Sequence, residues 1–205
     1  KNGRISGEIQ AAEASEVILT NMMVGREVML KLQKKVTKRD KTVMKVENLS
    51  VRDDRGIQRV KGLSFELKQG EILGIAGVSG NGQNELVEAL TGMRKWEAGS
   101  IYLEGERLSG LSPRLSRLHK IGYVPQDRIR FGSSGVSTLV ENCIMGYHLE
   151  HLKRKNYLMD YEEAEKYAET VIREYGVKAK SGQDTAGSLS GGNLQKLIVG
   201  REFSQ

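Results

Sequence analysis

Two glycine-rich stretches carry residue types suited to holding anions. The first is Gly77-Val78-Ser79-Gly80-Asn81-Gly82-Gln83-Asn84. It follows an apolar run, Ile72-Leu73-Gly74-Ile75-Ala76, and precedes Glu85–Leu90, whose spacing predicts a helix. Glycines let a backbone fold into a concave nest whose N–H groups point at phosphate oxygens. The start of the following helix adds a partial positive charge of roughly half an elementary unit. The usual phosphate-loop pattern is G-x-x-x-x-G-K-[S/T]. Gly77 and Gly82 match its spacing, but Gln83 stands at the lysine and Asn84 at the hydroxyl. Lysine places a charge on the β- and γ-phosphates and the hydroxyl holds magnesium. The cradle is therefore present and both hydrolytic contacts are missing. A glycine-rich turn that binds nothing is the plainer alternative.

The second stretch is Leu189-Ser190-Gly191-Gly192-Asn193-Leu194-Gln195-Lys196. Leu194, Leu197 and Ile198 begin a helical pattern, so Ser190 stands where an N-cap belongs. Gly191 and Gly192 leave the first N–H groups of that helix open to an anion, and the serine adds a donor. Alone this stretch could be only a helix cap. Two such loops in one α/β chain form a stronger pattern.

Here the sequence resembles a known family. LSGGNLQK is similar to the signature motif of ATP-binding-cassette (ABC) ATPases, and GVSGNGQNEL to a degenerate Walker A loop. The combination resembles the second cassette of the tandem ATPase subunits that energise bacterial sugar and nucleoside importers. The resemblance implies an α/β P-loop NTPase core with an antiparallel β subdomain and a helical subdomain, the latter at about residues 137–188. It also implies that Gly77–Asn84 form the nucleotide loop and that Gln126, after Tyr123-Val124-Pro125, is the Q-loop residue contacting magnesium and the attacking water. Leu189, Ser190, Gly191, Gly192, Asn193 and Gln195 would face ATP held by a partner cassette. ATP and Mg²⁺ are the implied cofactors. The implied partners are the first cassette or a second copy, transmembrane permease subunits and, indirectly, a solute-binding protein. The implied place is the cytoplasmic face of the membrane.

Two departures accompany the resemblance. Cassettes carry an adenine-stacking aromatic before the Walker A loop, yet Ser50–Arg55 contains none; Arg52 or Arg55 could stack as a cation instead. The apolar strand ending in Asp-Glu, with the catalytic carboxylate, is expected beyond Gln205. The chain by itself is thus expected to be inactive, with an incomplete parallel sheet. Arg128 and Arg130 read as surface charges.

The elements that must position these loops are legible as periodicities. Leu63, Phe65 and Leu67 alternate with polar residues as in a half-buried strand. Glu71–Ala76 reads as a strand buried on both faces. Ile101–Leu103 and Ile121–Val124 read as short strands. Ala164, Tyr167, Ala168, Val171, Ile172 and Tyr175 form one face of an amphipathic helix. Lys1–Ile9 is strand-like and Ala14–Met23 helical, closed by Gly25. Residues 1–25 read as the tail of a preceding cassette, 26–42 as a basic linker and 43–205 as a partial second cassette. The linker's sharper alternative is a lipid-binding polybasic segment.

The 205 residues are 38% hydrophobic and 28% charged, sufficient for a core and unlike a disordered chain. No apolar run is long enough for a transmembrane helix, and Lys1–Arg4 leads into no secretory signal. The single cysteine, Cys143, excludes an internal disulfide framework. A net charge of +6 without aromatic residues interleaved among the basic ones argues against direct nucleic-acid binding.

Overall fold

The structure, a computed structural model of the chain, describes residues 5–24, 40–148, 154–155 and 158–204. Lys1–Arg4, Gly25, the basic segment from 26 to 39 and His151 lie outside the described residues. The chain divides into two units, Lys1–Lys38 and Arg39–Gln205. In the first, α1 (Glu16–Val24) follows a 3-10 turn at Ala11–Glu13. Ser15 Oγ accepts the Ile18 amide at 3.3 Å, which starts the helix two residues later than the apolar pattern predicts. The expected strand character before Ile9 is absent from Ile5–Ile9, which pairs with no strand among the described residues.

The second unit is built on β1 (Thr42–Arg52), β2 (Gln58–Lys68), α2 (Gln83–Leu90), β3 (Ala98–Leu103), β4 (Glu106–Leu108) and α3 (Pro113–Leu118). The helices that follow are α4 (Leu139–Ile144), α5 (Tyr161–Glu174) and α6 (Gly191–Phe203), with a two-residue ribbon, β5 (Arg154–Lys155) and β6 (Leu158–Met159), before α5. The four long strands form an antiparallel sheet in the order β2-β1-β3-β4. In the β1–β2 register Val46 faces Phe65 and Leu49 faces Leu63, and on the other side Val46 faces Ile101. These side chains bury one face, and Leu86 and Ala89 of α2 close it. The sheet therefore holds α2, and α2 holds the glycine loop at its own N-terminus.

A second core joins α4, α5 and α6. Leu139, Cys143, Ala164, Ala168, Val171, Leu194, Leu197 and Ile198 are buried in it. The amphipathic face read from Ala164 to Tyr175 supplies its α5 side, and Asp160 caps that helix by accepting the Glu163 amide. Thr138 and Glu141 form a reciprocal capping box at the start of α4. The helical body thus takes in the first half of α6, beyond residue 188.

Two sequence expectations are corrected. Glu71–Ala76 forms no strand, and Ile72, Leu73 and Ile75 are 82%, 41% and 51% exposed. Ile121–Val124 is not paired as a strand either. A strand needs hydrogen-bonded neighbours to satisfy its backbone, and the described residues pair neither segment into a sheet. Ile121–Val124 docks on α6 instead. The Tyr123 amide donates to Glu202 Oε2 at 3.0 Å, and a Cβ on Gly122 would stand 3.1 Å from the Glu202 carbonyl oxygen.

Glu202 is paired with Arg201 at 2.9 Å, and their side chains are 5% and 7% exposed. The Tyr147 hydroxyl donates to Glu202 at 2.5 Å, and Arg201 donates to the carbonyls of Gly132 and Asn142. Asn142, itself buried, accepts from the Ser134 amide and donates to the carbonyls of Ser134, Ser137 and Thr138. Among the described residues no helix is long and apolar enough to cross a membrane.

Breaking a buried pair by removing one partner strands the other charge, at a cost of about 3–5 kcal/mol. Arg201→Met is expected to destabilise the chain by that amount in urea unfolding. Burial also pushes the Cys143 thiol up to about 12. The native chain is therefore expected to be inert to Ellman's reagent at pH 8 and to titrate one thiol once unfolded.

Candidate nucleotide and signature loops

Gly77–Asn84 leads into α2, with Gly82 at its N-cap and no side-chain cap. Gly80 has φ +87° and Gly82 φ +101°, both in the left-handed region that glycine tolerates. Gly82 is also wedged against the sheet, because a Cβ there would lie 2.6 Å from the Arg59 carbonyl oxygen. The first intrahelical bond runs from the Leu86 amide to the Gly82 carbonyl at 2.9 Å. The amides of Gln83, Asn84 and Glu85 thus have no acceptor within the helix. Phosphate oxygens fit this nest.

Gln83 does not extend from the loop as a cation would. Its amide folds back across it, donating to the Val78 carbonyl at 3.3 Å and filling the space a Cβ on Gly77 would take. Asn84 is exposed and shares a cleft of about 770 Å³ with Gln126, Glu88 and Glu202. Of the loop that resembles Walker A, Asn84 thus lines the same cavity as Gln126. A magnesium ion fits poorly. Among the described residues no cluster of three metal-ligating side chains exists, and Asn84 and Gln126 offer only amide oxygens.

The sequence offered Arg52 or Arg55 as stand-ins for the adenine-stacking aromatic. Neither reaches the loop. Arg52 pairs with Glu97 at 2.6 Å and donates to the Gly56 carbonyl; Arg55 is 3.7 Å from Asp53 and largely exposed. Arg59, unnoticed in the sequence, does reach it. Its guanidinium donates to the Gly80 carbonyl at 3.3 Å and to Asp53 at 2.9 Å. The Ile57 amide, then Arg59 and the Arg55 amide, hold the Asp53 carboxyl below its ordinary value. The alternation read at Leu63–Leu67 stops short of Arg59, and it is the β1–β2 hairpin that carries this residue to the loop.

The second loop opens α6. Ser190 occupies the N-cap, but its hydroxyl makes no cap bond. Instead it accepts the Asn193 side-chain amide at 3.0 Å, so its own O–H remains a donor. Asn193 Oδ1 accepts the Lys178 amide at 3.1 Å, tying the loop to the end of α5. Leu189 packs on the helical core while Ser190, Gly191 and Gly192 are exposed. Gln195 accepts from Arg128 at 3.4 Å, and a Cβ on Gly191 would lie 3.2 Å from Arg128 Nη2. Arg128, read above as a surface charge, is half-buried beside the signature loop.

The ABC transporter family matches residues 60–205. The chain belongs to that family. It is 37% identical, along its whole length, to the glucose import ATP-binding protein TsgD13 of Haloferax volcanii and to the guanosine import ATP-binding protein NupO of Bacillus subtilis. It covers 38% and 40% of those proteins, so it spans about two fifths of the relatives it matches. Among solved structures, the dimeric post-hydrolysis state of the ATP-binding cassette MJ0796, bound to ADP and Pi, aligns with a TM-score of 0.63 at 21% identity. That alignment covers 78% of this chain and 69% of the other. CbiO1 of Clostridium perfringens aligns with a TM-score of 0.59 at 20% identity, over 80% and 61%. These likenesses assign the P-loop NTPase fold of an ABC cassette.

Gly82→Ala combines a left-handed backbone with a clash against Arg59, whereas Gly80→Ala meets nothing within 4 Å. Gly80→Ala is expected to cost about 1–2 kcal/mol, the backbone term alone. Gly82→Ala is expected to cost clearly more, as read from paired urea melts.

Proposed function

We propose that this chain is part of the ATP-binding component of an ABC importer for a sugar or a nucleoside. In this reading residues 1–25 end a first cassette, 26–42 link, and 43–205 begin a second, degenerate one. It works at the cytoplasmic face of the membrane, against permease subunits served by a solute-binding protein. The observation that carries the reading is the contrast between the two loops. The Ser190 loop is exposed and keeps its hydroxyl and amide donors. The Gly77–Asn84 loop has a neutral amide folded over it.

ABC cassettes are taken to pair head to tail, so the loops serve different nucleotides. Ser190, Gly191 and Gly192 direct donors at the terminal phosphate of ATP held by the partner cassette. There they meet charge that develops during phosphoryl transfer, and donors already in place cost no reorganisation at that moment. At the chain's own loop, free amides hold the phosphates without lysine, and Gln126 faces the same cleft from the Q-loop. This site holds nucleotide weakly and turns it over slowly, if at all. No carboxylate that would orient the attacking water is assigned within the chain.

The 205-residue chain alone is expected to show no metal-dependent ATP turnover. A fluorescent ATP analogue is expected to bind more tightly to Gln83→Lys than to the parent, because lysine restores a charge on the β- and γ-phosphates. Equal affinities in folded samples would remove the asymmetry from the reading. A second reading is a structural cassette that completes a dimer without contributing to hydrolysis, favoured by Gln83 and Asn84. In a two-cassette subunit carrying this chain, Ser190→Ala is expected to abolish transport; full retention would favour the structural reading.

A further inference from the structure

We propose that Arg128 is a phosphate-contacting residue, contributed together with Ser190, Gly191 and Gly192 to the nucleotide of the partner cassette. The inference rests on the reading above, in which the signature loop faces a partner's ATP.

The start of α6 holds no acid of its own, while Arg128 also borders the cleft lined by Glu88, Asp127 and Glu202. The helix is 13 residues long, and its first N–H groups have no intrahelical acceptor. Its N-terminal end is therefore positive, and its first turn contains no acidic residue. The Arg128 guanidinium stands beside that end. Nη2 lies 3.2 Å from where a Gly191 Cβ would be, and Nη1 reaches only the neutral Gln195 Oε1 at a long 3.4 Å. Among the described residues no carboxylate pairs with Arg128. The adjacent Asp127 directs Oδ1 to the Arg130 amide. A cation beside the positive end of a helix is repelled unless an anion sits between them.

The fold nevertheless keeps it there. The Arg128 carbonyl accepts from the Gly132 amide at 3.1 Å and from Ser133 Oγ at 3.1 Å. Gly132 is packed so closely that a Cβ would lie 2.8 Å from the Arg128 carbonyl oxygen and 2.9 Å from Ile198 Cδ1 of α6. Arg201 fixes the same turn through the Gly132 carbonyl. Gly191 has no side chain to hold the guanidinium off. Lys196, on the same helix, is turned away to the Gly176 carbonyl at 3.0 Å. An oxyanion over Gly191 and Gly192 would relieve both positive groups at once. A planar guanidinium presents paired N–H donors that match phosphate oxygens. The ligand assigned is the terminal phosphate of a nucleoside triphosphate. Arg128 forms no bond to phosphorus; it stabilises the charge that grows on the transferred group.

The test measures ATP turnover against ATP concentration, with a melting curve for each protein, in a two-cassette subunit carrying this chain. The proteins are the parent, Arg128→Ala, Arg128→Lys and Ser190→Ala. Arg128→Ala is expected to lower kcat and kcat/KM together, by about 10²-fold, without lowering the melting temperature. Arg128→Lys, which keeps the charge, is expected to recover part of the loss. If Ser190→Ala collapses turnover and Arg128→Ala does not, the role of Arg128 is overturned while the proposed function stands. If Ser190→Ala is also silent, the reading of the signature loop fails, and this inference with it. An Arg128→Ala loss that tracks a lowered melting temperature and is not eased by lysine would make the residue a brace, not a phosphate contact. Inorganic phosphate at millimolar concentration is the remaining arm, added to the 205-residue chain. A rise in melting temperature that Arg128→Ala abolishes would mark a free-phosphate site and overturn the nucleotide assignment.

Discussion

The buried Arg201–Glu202 pair is the constraint on which the rest of the structure depends. Two charges taken out of water must be compensated by geometry and hydrogen bonds. Here the compensation comes from four separate segments: the Tyr123 amide, the Gly132 carbonyl, the Asn142 carbonyl and the Tyr147 hydroxyl. Each segment is thereby fixed relative to the far end of α6. The near end of the same helix is the Ser190 loop. A single 13-residue helix thus connects the region of Gln126 to Ser190, and the pair sets the distance between them.

The two glycine loops start alike and end differently. Both put open amides at the start of a helix, but the first turn of α2 holds Glu85 whereas that of α6 holds no acidic residue. At the first loop the local cation, Arg59, is shared with the Asp53 carboxylate, and the lysine position holds a neutral amide that covers the loop. At the second, Arg128 has no carboxylate partner among the described residues. The net charge offered to phosphate is therefore larger at the loop that resembles the signature motif than at the one that resembles Walker A. In the proposed function, that difference would give the two sites an electrostatic asymmetry.

Parts of β2 and β3, the helices α2 and α5, the start of α6 and both loops were legible before the structure, whereas β1, β4, α3 and α4 were not. Alternation at Leu63, Phe65 and Leu67 marked the second half of β2, and the Ala164–Tyr175 face marked all but the first turn of α5. The misreadings share a cause. Glu71–Ala76 and Ile121–Val124 are apolar enough to be strands, yet a strand exists only when a neighbour completes its hydrogen bonds. None pairs with either segment here, and Glu202 takes up the Tyr123 amide instead. Ser190 was placed correctly at the N-cap, but its hydroxyl bonds to the Asn193 side chain and not to the backbone.

The sequence by itself determined the inventory of chemistry: glycines where a nest needs them, glutamine and asparagine where a hydrolytic loop has lysine and a hydroxyl, and an intact Ser-Gly-Gly helix start. These are properties of a few contiguous residues, set by backbone sterics and side-chain type. Only the tertiary structure decided which cation meets which loop. Arg59 reaches Gly80 because the β1–β2 hairpin folds over α2, and Arg128 reaches Gly191 because the turn at Gly132 packs on Ile198. Such meetings depend on how distant segments bury their apolar faces together. A charge in a sequence carries no sign of the loop it will stand beside.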